Sequence, residues 1–291
     1  MIVKEIVKEK IASLLSGDEE IQSVEQLGGM TNQNYLVKTS SNQYIVKFFG
    51  KGTDKLIDRQ NEKFNLELLK DLKLDVENYL FDIEAGIKVN QYIENAETLD
   101  SATIKTKFEK IAPILQTIHA SGKELKGEFA PFEEIKKYES LIEGEISYPN
   151  YEVVRKSVFS LKEELEKIGI EKKSCHIDLV PENFIEGPDG HLYLIDWEYS
   201  SMNDPMWDLA ALFLESEFTP EEEADFLAYY EGDKTPVSRE KIRIYKILQD
   251  IIWSLWTIYK EENGADFGDY GISRYNRAVK ELQSQGGIDE D

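Results

Sequence analysis

From His176 to Asp196 the chain reads H-I-D-L-V-P-E-N-F-I-E-G-P-D-G-H-L-Y-L-I-D, and this stretch constrains the fold more than any other. Gly187-Pro-Asp-Gly190 is a turn sequence, and the runs on either side, Phe184-Ile-Glu and Leu192-Tyr-Leu-Ile, alternate as strands do. The spacing predicts a short hairpin that carries Asp196 back beside Asn183, with Asp178 five residues upstream of Asn183. A carboxylate, an amide oxygen and a second carboxylate in that order suit phosphoryl transfer. That reaction asks little covalent work of a protein and much positioning. Asp178 fits the group that orients or deprotonates an attacking hydroxyl. Asn183 and Asp196 offer the hard oxygen donors that Mg²⁺ prefers.

The pattern H-x-D-x-x-x-x-N followed by an aspartate, met here by His176, Asp178, Asn183 and Asp196, resembles the catalytic centre of the kinase-like phosphotransferases. That group includes protein kinases, aminoglycoside kinases and choline kinases. Ile177 departs from the small or polar residue that most of these families place between the His and the Asp. The resemblance implies an α+β, bilobal, protein-kinase-like fold. Its N-lobe, residues 1–93, would hold a small five-stranded antiparallel sheet and one helix, and its C-lobe, residues 94–291, would be larger and mostly helical.

The 291 residues are 41% hydrophobic, enough for one large or two modest cores. No apolar run approaches the roughly 20 residues that cross a bilayer, and Met1-Ile-Val-Lys-Glu-Ile lacks a signal-peptide profile. A soluble, cytoplasmic protein without membrane insertion is the expectation. The single Cys175 cannot form an internal disulfide and reads as a buried small residue. With 57 acidic against 34 basic side chains, a net of −23, the surface disfavours nucleic acid and favours a cationic small molecule. Oligomeric state is not legible.

A leading helix is expected over Val3 to Leu15, followed by strands Ile21 to Leu27, Tyr35 to Thr39 and Tyr44 to Phe49. Gly28-Gly-Met-Thr-Asn-Gln33 is either an ordinary hairpin loop or a phosphate-covering loop in which Thr31 and Asn32 present hydroxyl and amide groups. Lys47, within I-V-K-F-F, is either an edge-strand gatekeeper or a phosphate ligand held against the sheet. A helix over Asp54 to Leu72 carries Phe64, Leu68, Leu69 and Leu72 at core spacing, and the resemblance makes its Glu62 the partner that orients Lys47. Strands Tyr79 to Ile83 and Gly86 to Ile93 complete the sheet. The resemblance places the interlobe hinge after them, with Gln91, Tyr92 and Ile93 meeting adenine through the backbone.

Beyond Ser101 the chain reads as helix: Lys105 to His119, Pro131 to Ile142, Val153 to Ile168, Met206 to Glu217, Val237 to Glu262 and Tyr270 to Leu282. His119 is expected to cap or pack at its helix end, and the resemblance has Asp208 bracing the catalytic loop. Glu215, at the end of L-A-A-L-F-L-E, needs a cation or donors at so apolar a place, which nominates it for substrate. Ile244, Ile247, Leu248, Ile251, Leu255 and Ile258 form one stripe, and Trp253 and Trp256 fall on nearly the opposite face. The two indoles either pack beneath the last helix or form a cage for a quaternary ammonium with Tyr199, backed by Glu198 and Glu215.

W-S-L-W-T-I-Y-K, D-W-E-Y and M-W-D-L-A-A-L-F-L-E together resemble the choline and ethanolamine kinases, in particular the compact bacterial choline kinases, from about Glu25 to the last helix. The resemblance implies ATP- and Mg²⁺-dependent phosphorylation of choline to phosphocholine. Ethanolamine and aminoglycosides are the alternative substrates, and a catalytically silent nucleotide- or choline-binding module is the alternative of another class.

Overall fold

A computed structural model of the chain describes residues 2–11, 14–16, 18–29, 32–231 and 237–284. Thr31, expected in the phosphate-covering loop, lies outside them. The elements in chain order are α1 (Ile2–Ile11), β1 (Ile21–Gln26), β2 (Gln33–Thr39), β3 (Gln43–Phe48), α2 (Arg59–Leu69), β4 (Asn78–Asp82), β5 (Ile87–Gln91) and β6 (Glu97–Thr98). They continue as α3 (Phe108–His119), α4 (Pro131–Leu141), α5 (Tyr151–Ile168), β7 (Lys173–Cys175), β8 (Phe184–Glu186), β9 (Leu192–Leu194) and β10 (Ser201–Asn203). Four helices end the chain: α6 (Pro205–Glu215), α7 (Pro220–Tyr230), α8 (Arg239–Glu262) and α9 (Tyr270–Ser284).

Two compact units result, residues 1–99 with 182–198, and residues 100–181 with 199–291. The division falls near residue 99 and assigns the hairpin β8–β9 to the first unit, whereas the sequence placed the boundary at 93 and kept that hairpin in the C-lobe.

In the first unit the five strands form an antiparallel sheet in the order β1-β2-β3-β5-β4, as the fold class requires. Alternation sorts its two faces. Tyr35, Val37, Tyr44, Val46, Ile87 and Val89 pack on Val7 and Ile11 of α1. The intervening positions send Lys47 and Lys88 to the other face, and these two lysines are directly opposed on β3 and β5.

Helix α2 corrects the sequence reading. Asp58 caps it by accepting from the N–H groups of Gln60 and Asn61, and the register thus fixed buries Arg59, Glu62, Asn65 and Leu69. Phe64, expected in the core, is 40% exposed.

The second unit is built on apolar helix packing. Ile111, Leu115 and Ile118 of α3 are fully buried, and α8 is buried on almost every face from Ile244 to Thr257, not along one stripe. The sequence reading passed over α7, although Thr219-Pro-Glu-Glu222 announces it: the Thr219 side chain and Glu222 form a reciprocal capping box.

Candidate active site

The register of β3 and β5 decides the ionic arrangement of the first unit. Two lysines opposed on one face repel unless acids separate them, and Glu62 serves Lys88 at 2.8 Å and Arg59 at 2.6 Å. Lys47 therefore pairs with Asp196, at 2.5 Å, and the expected Lys47–Glu62 brace is not the bond that forms. Burial pushes the Glu62 carboxyl up, but Lys88 and Arg59 outweigh it and hold the group below the usual carboxylate range. Burial likewise works against the Lys88 ammonium, and Glu62, Asp196 and Asp75 together raise it above the ordinary lysine value.

The hairpin brings Asn183 and Asp196 together as the spacing predicted. Phe184 pairs with Leu194, and the Ile195 N–H donates to the Asn183 carbonyl at 2.8 Å. Asp196 follows with φ at +67°, a left-handed conformation that aspartate tolerates better than most residues. An amide and a carboxylate on adjacent rungs match the hard-oxygen donor set of Mg²⁺. At the end of β5, Gln91 is committed to the residue before β4: its N–H donates to the Glu77 carbonyl at 2.8 Å and its side chain accepts from the Glu77 N–H. Tyr92 and Ile93 follow directly, half-buried.

Two nominated residues take other roles. The Asn32 side chain does not point its amide outward: Nδ2 donates to Glu198 at 2.7 Å, and Oδ1 accepts from Arg59 at 3.0 Å. Glu198, expected behind a substrate cation, is 6% exposed and receives both Asn32 and Arg59. Burial, reinforced by Asp196, raises its carboxyl above the usual range despite Lys47 and Arg59.

In the second unit the loop that carries Asp178 is fixed by its backbone. Asp208 accepts the N–H groups of His176 and Ile177, each at 2.8 Å, and Trp207 Nε1 donates to the Ile177 carbonyl at 3.0 Å. These bonds hold Ile177 at φ +78°, which for a β-branched residue is strained by about 1–3 kcal/mol. Its side chain is fully buried, so the departure at this position is a packing choice, and Asp178 next to it remains half-buried. His119 extends the brace, contacting Asp208 through Nε2 at 3.1 Å and the Tyr230 hydroxyl through Nδ1 at 2.7 Å. The Cys175 thiol is buried, and burial raises its pKa well above the ordinary value.

The tryptophans lie in a connected aromatic corner. Trp253 stands edge-on to Tyr199 at 5.7 Å and to Trp256 at 6.4 Å, and Trp256 continues to Phe267 at 5.0 Å. Among the described residues the buried Trp256 indole N–H has no acceptor, and the Lys260 ammonium lies 5.8 Å from its ring. Asp178 is within electrostatic reach: Tyr138 and Tyr270 are both raised chiefly by burial and additionally by the Asp178 charge. Glu215 is corrected. The cation it requires is Arg274 of α9, which also bonds Asp250, so its burial is no argument for substrate contact.

Comparison with known proteins identifies the family. The sequence profile of choline/ethanolamine kinases matches residues 24–239. The solved choline kinase LicA from Streptococcus pneumoniae is 75% identical, superposes with a TM-score of 0.95 and covers 98% of this chain and 100% of that one. A structure of LicA in complex with AMP is 76% identical, with a TM-score of 0.92 over 98% of this chain and 99% of that one. Protein LicA of Haemophilus influenzae is 33% identical over 272 residues, 88% of this chain and 79% of that protein.

Proposed function

The chain belongs to the choline/ethanolamine kinase family and is a kinase, and from that premise we propose that it transfers a phosphoryl group from ATP to the hydroxyl of choline. The observation that carries the choice of substrate is the Tyr199–Trp253–Trp256 corner, held in the same unit as Asp178. A quaternary ammonium cannot donate hydrogen bonds and is best held by π faces. Glu198 and Glu215 already being paired with Arg59 and Arg274 supports choline over ethanolamine, whose N–H groups call for acceptors. Trp253 is the stronger wall, since the ring of Trp256 already meets Lys260.

In this reading Asp178 orients the choline hydroxyl and accepts its proton. Asn183 and Asp196 would hold Mg²⁺, which would supply positive charge against that developing on the transferred phosphoryl group. Lys47, standing on Asp196, offers its ammonium to the same phosphates. Tyr92 and Ile93 supply backbone groups for adenine. No protein residue forms a covalent intermediate; catalysis is positioning and charge.

Purified protein with Mg-ATP is expected to convert choline to phosphocholine, with a higher kcat/KM than for ethanolamine or an aminoglycoside. Asp178→Ala is expected to lower kcat by about 10²–10⁴ while leaving ADP affinity unchanged. A folded preparation that makes no ADP above background with choline overturns the proposal.

A further inference from the structure

Three side chains from distant parts of the first unit close a ring. Arg59 donates through Nη2 to Asn32 Oδ1 at 3.0 Å and through Nη1 to Glu198 Oε2 at 2.9 Å, and Asn32 Nδ2 donates to that same Glu198 oxygen at 2.7 Å. All three residues are at most 8% exposed. The ring is anchored on every side. The Arg59 guanidinium lies 4.1 Å from the centroid of the Phe49 ring, and Nη1 also donates to Glu62 at 2.6 Å. Asn32 Oδ1 receives the Gly50 N–H at 3.4 Å. Glu198 follows Asp196 by two residues, beside Trp197, whose indole N–H is spent on the Leu194 carbonyl at 2.8 Å.

A guanidinium is a planar fork, and only a fork can reach Asn32 and Glu198 together while keeping its charge beside Glu62. The Asn32 amide spends both its ends inside the ring. Its Oδ1 and one Nδ2–H are thus held in the ring, and what it contributes is the position of the backbone that enters β2. Asn34, on that strand, donates to the Gly28 carbonyl at 3.0 Å.

We propose that Asn32, Arg59 and Glu198 form a latch that ties the start of β2, at Asn32, to the turn carrying Asp196, so that Arg59 and Glu198 are positioning residues for the nucleotide. The latch deepens the kinase reading and rests on it. The entry to β2 and the turn carrying Asp196 are fixed to one guanidinium, so the backbone at Asn32 and the Asp196 carboxylate keep one relative geometry. Loosening the ring weakens nucleotide binding and leaves the aromatic corner untouched.

Two variants test this. Arg59→Lys keeps the cation beside Glu62 and Glu198 but removes the fork. Asn32→Ala removes a neutral side chain and leaves every ion pair intact. Titration calorimetry with ADP, without choline, is expected to give about tenfold weaker binding for each. The double variant is expected to be no weaker than the weaker single one, because both break the same ring. KM for ATP should rise by a similar factor, while KM for choline stays close to wild type. Unchanged ADP affinity in both variants, or additive losses in the double variant, overturns the latch. So does equal loss toward both substrates together with lowered thermal stability, which marks a merely structural role. The ADP arm reads out whatever substrate is phosphorylated, so a failure of choline turnover and a failure of the latch are separate results.

Discussion

Helices α2 and α8 bury their faces by opposite means. Helix α2 turns Arg59, Glu62 and Asn65 inward, so its burial is tolerable only because every charge meets a partner. Helix α8 buries Ile244, Ile247, Leu248, Ile251, Ile252 and Leu255, with Trp253 and Trp256 at one corner, so most of its buried face is apolar and its one buried acid, Asp250, is held by Arg274 and Arg277. The difference matches what each region handles in the proposed reaction. Phosphates and metal demand fixed charges, whereas a trimethylammonium group demands shaped, dry walls.

The largest expected effect tests the ionic side. Glu62→Ala strands Lys88 in a buried site and leaves Arg59 with Glu198 as its single acid, and is expected to cost about 3–5 kcal/mol in urea unfolding; a loss below about 1 kcal/mol would break the contrast with α8. Gly29→Ala comes next. A Cβ there would lie 2.4 Å from the Asn32 carbonyl oxygen, whereas at Gly28 nothing comes within 4 Å. Gly29→Ala is expected to weaken ADP binding by the equivalent of about 1–3 kcal/mol, and Gly28→Ala by less than about 0.5 kcal/mol.

On the aromatic side, Trp253→Ala is expected to raise KM for choline by the equivalent of about 0.5–2 kcal/mol with KM for ATP unchanged. A parallel rise in both constants would show that the two regions are not separable. The smallest effect is one of pH. The Asp75 carboxyl is pushed up from 3.8 to about 7, chiefly by burial and further by Asp196, against Lys88 and Lys47. A raised carboxyl favours the folded state below its ordinary value, and that contribution fades as pH climbs through the raised one. Asp75→Asn should therefore gain thermal stability relative to wild type as pH rises from 3.8 to about 7; a constant offset would count against it.

What could be read in advance follows from range. The β8–β9 hairpin needed only a turn and two alternating runs, and it duly placed Asn183 beside Asp196. The bracing of the catalytic loop by Asp208 came with the family resemblance, and the backbone bonds to His176 and Ile177 supply its geometry. Phe64 was misread because an aromatic at helical spacing outweighed the polar residues of the true buried face. Glu215 was misread because its cation, Arg274, is 59 residues away.

By itself the sequence determined the five-stranded sheet, the helices other than α7 and the order of the candidate catalytic groups, since strand alternation, helical period and turn chemistry are local. Only the tertiary structure decided which cation each buried acid receives. The opposition of Lys47 and Lys88 is a matter of cross-strand register, and the bond from Asn32 to Glu198 spans 166 residues. A charge can be satisfied by any opposite charge, so composition leaves the choice open until packing brings one partner within reach.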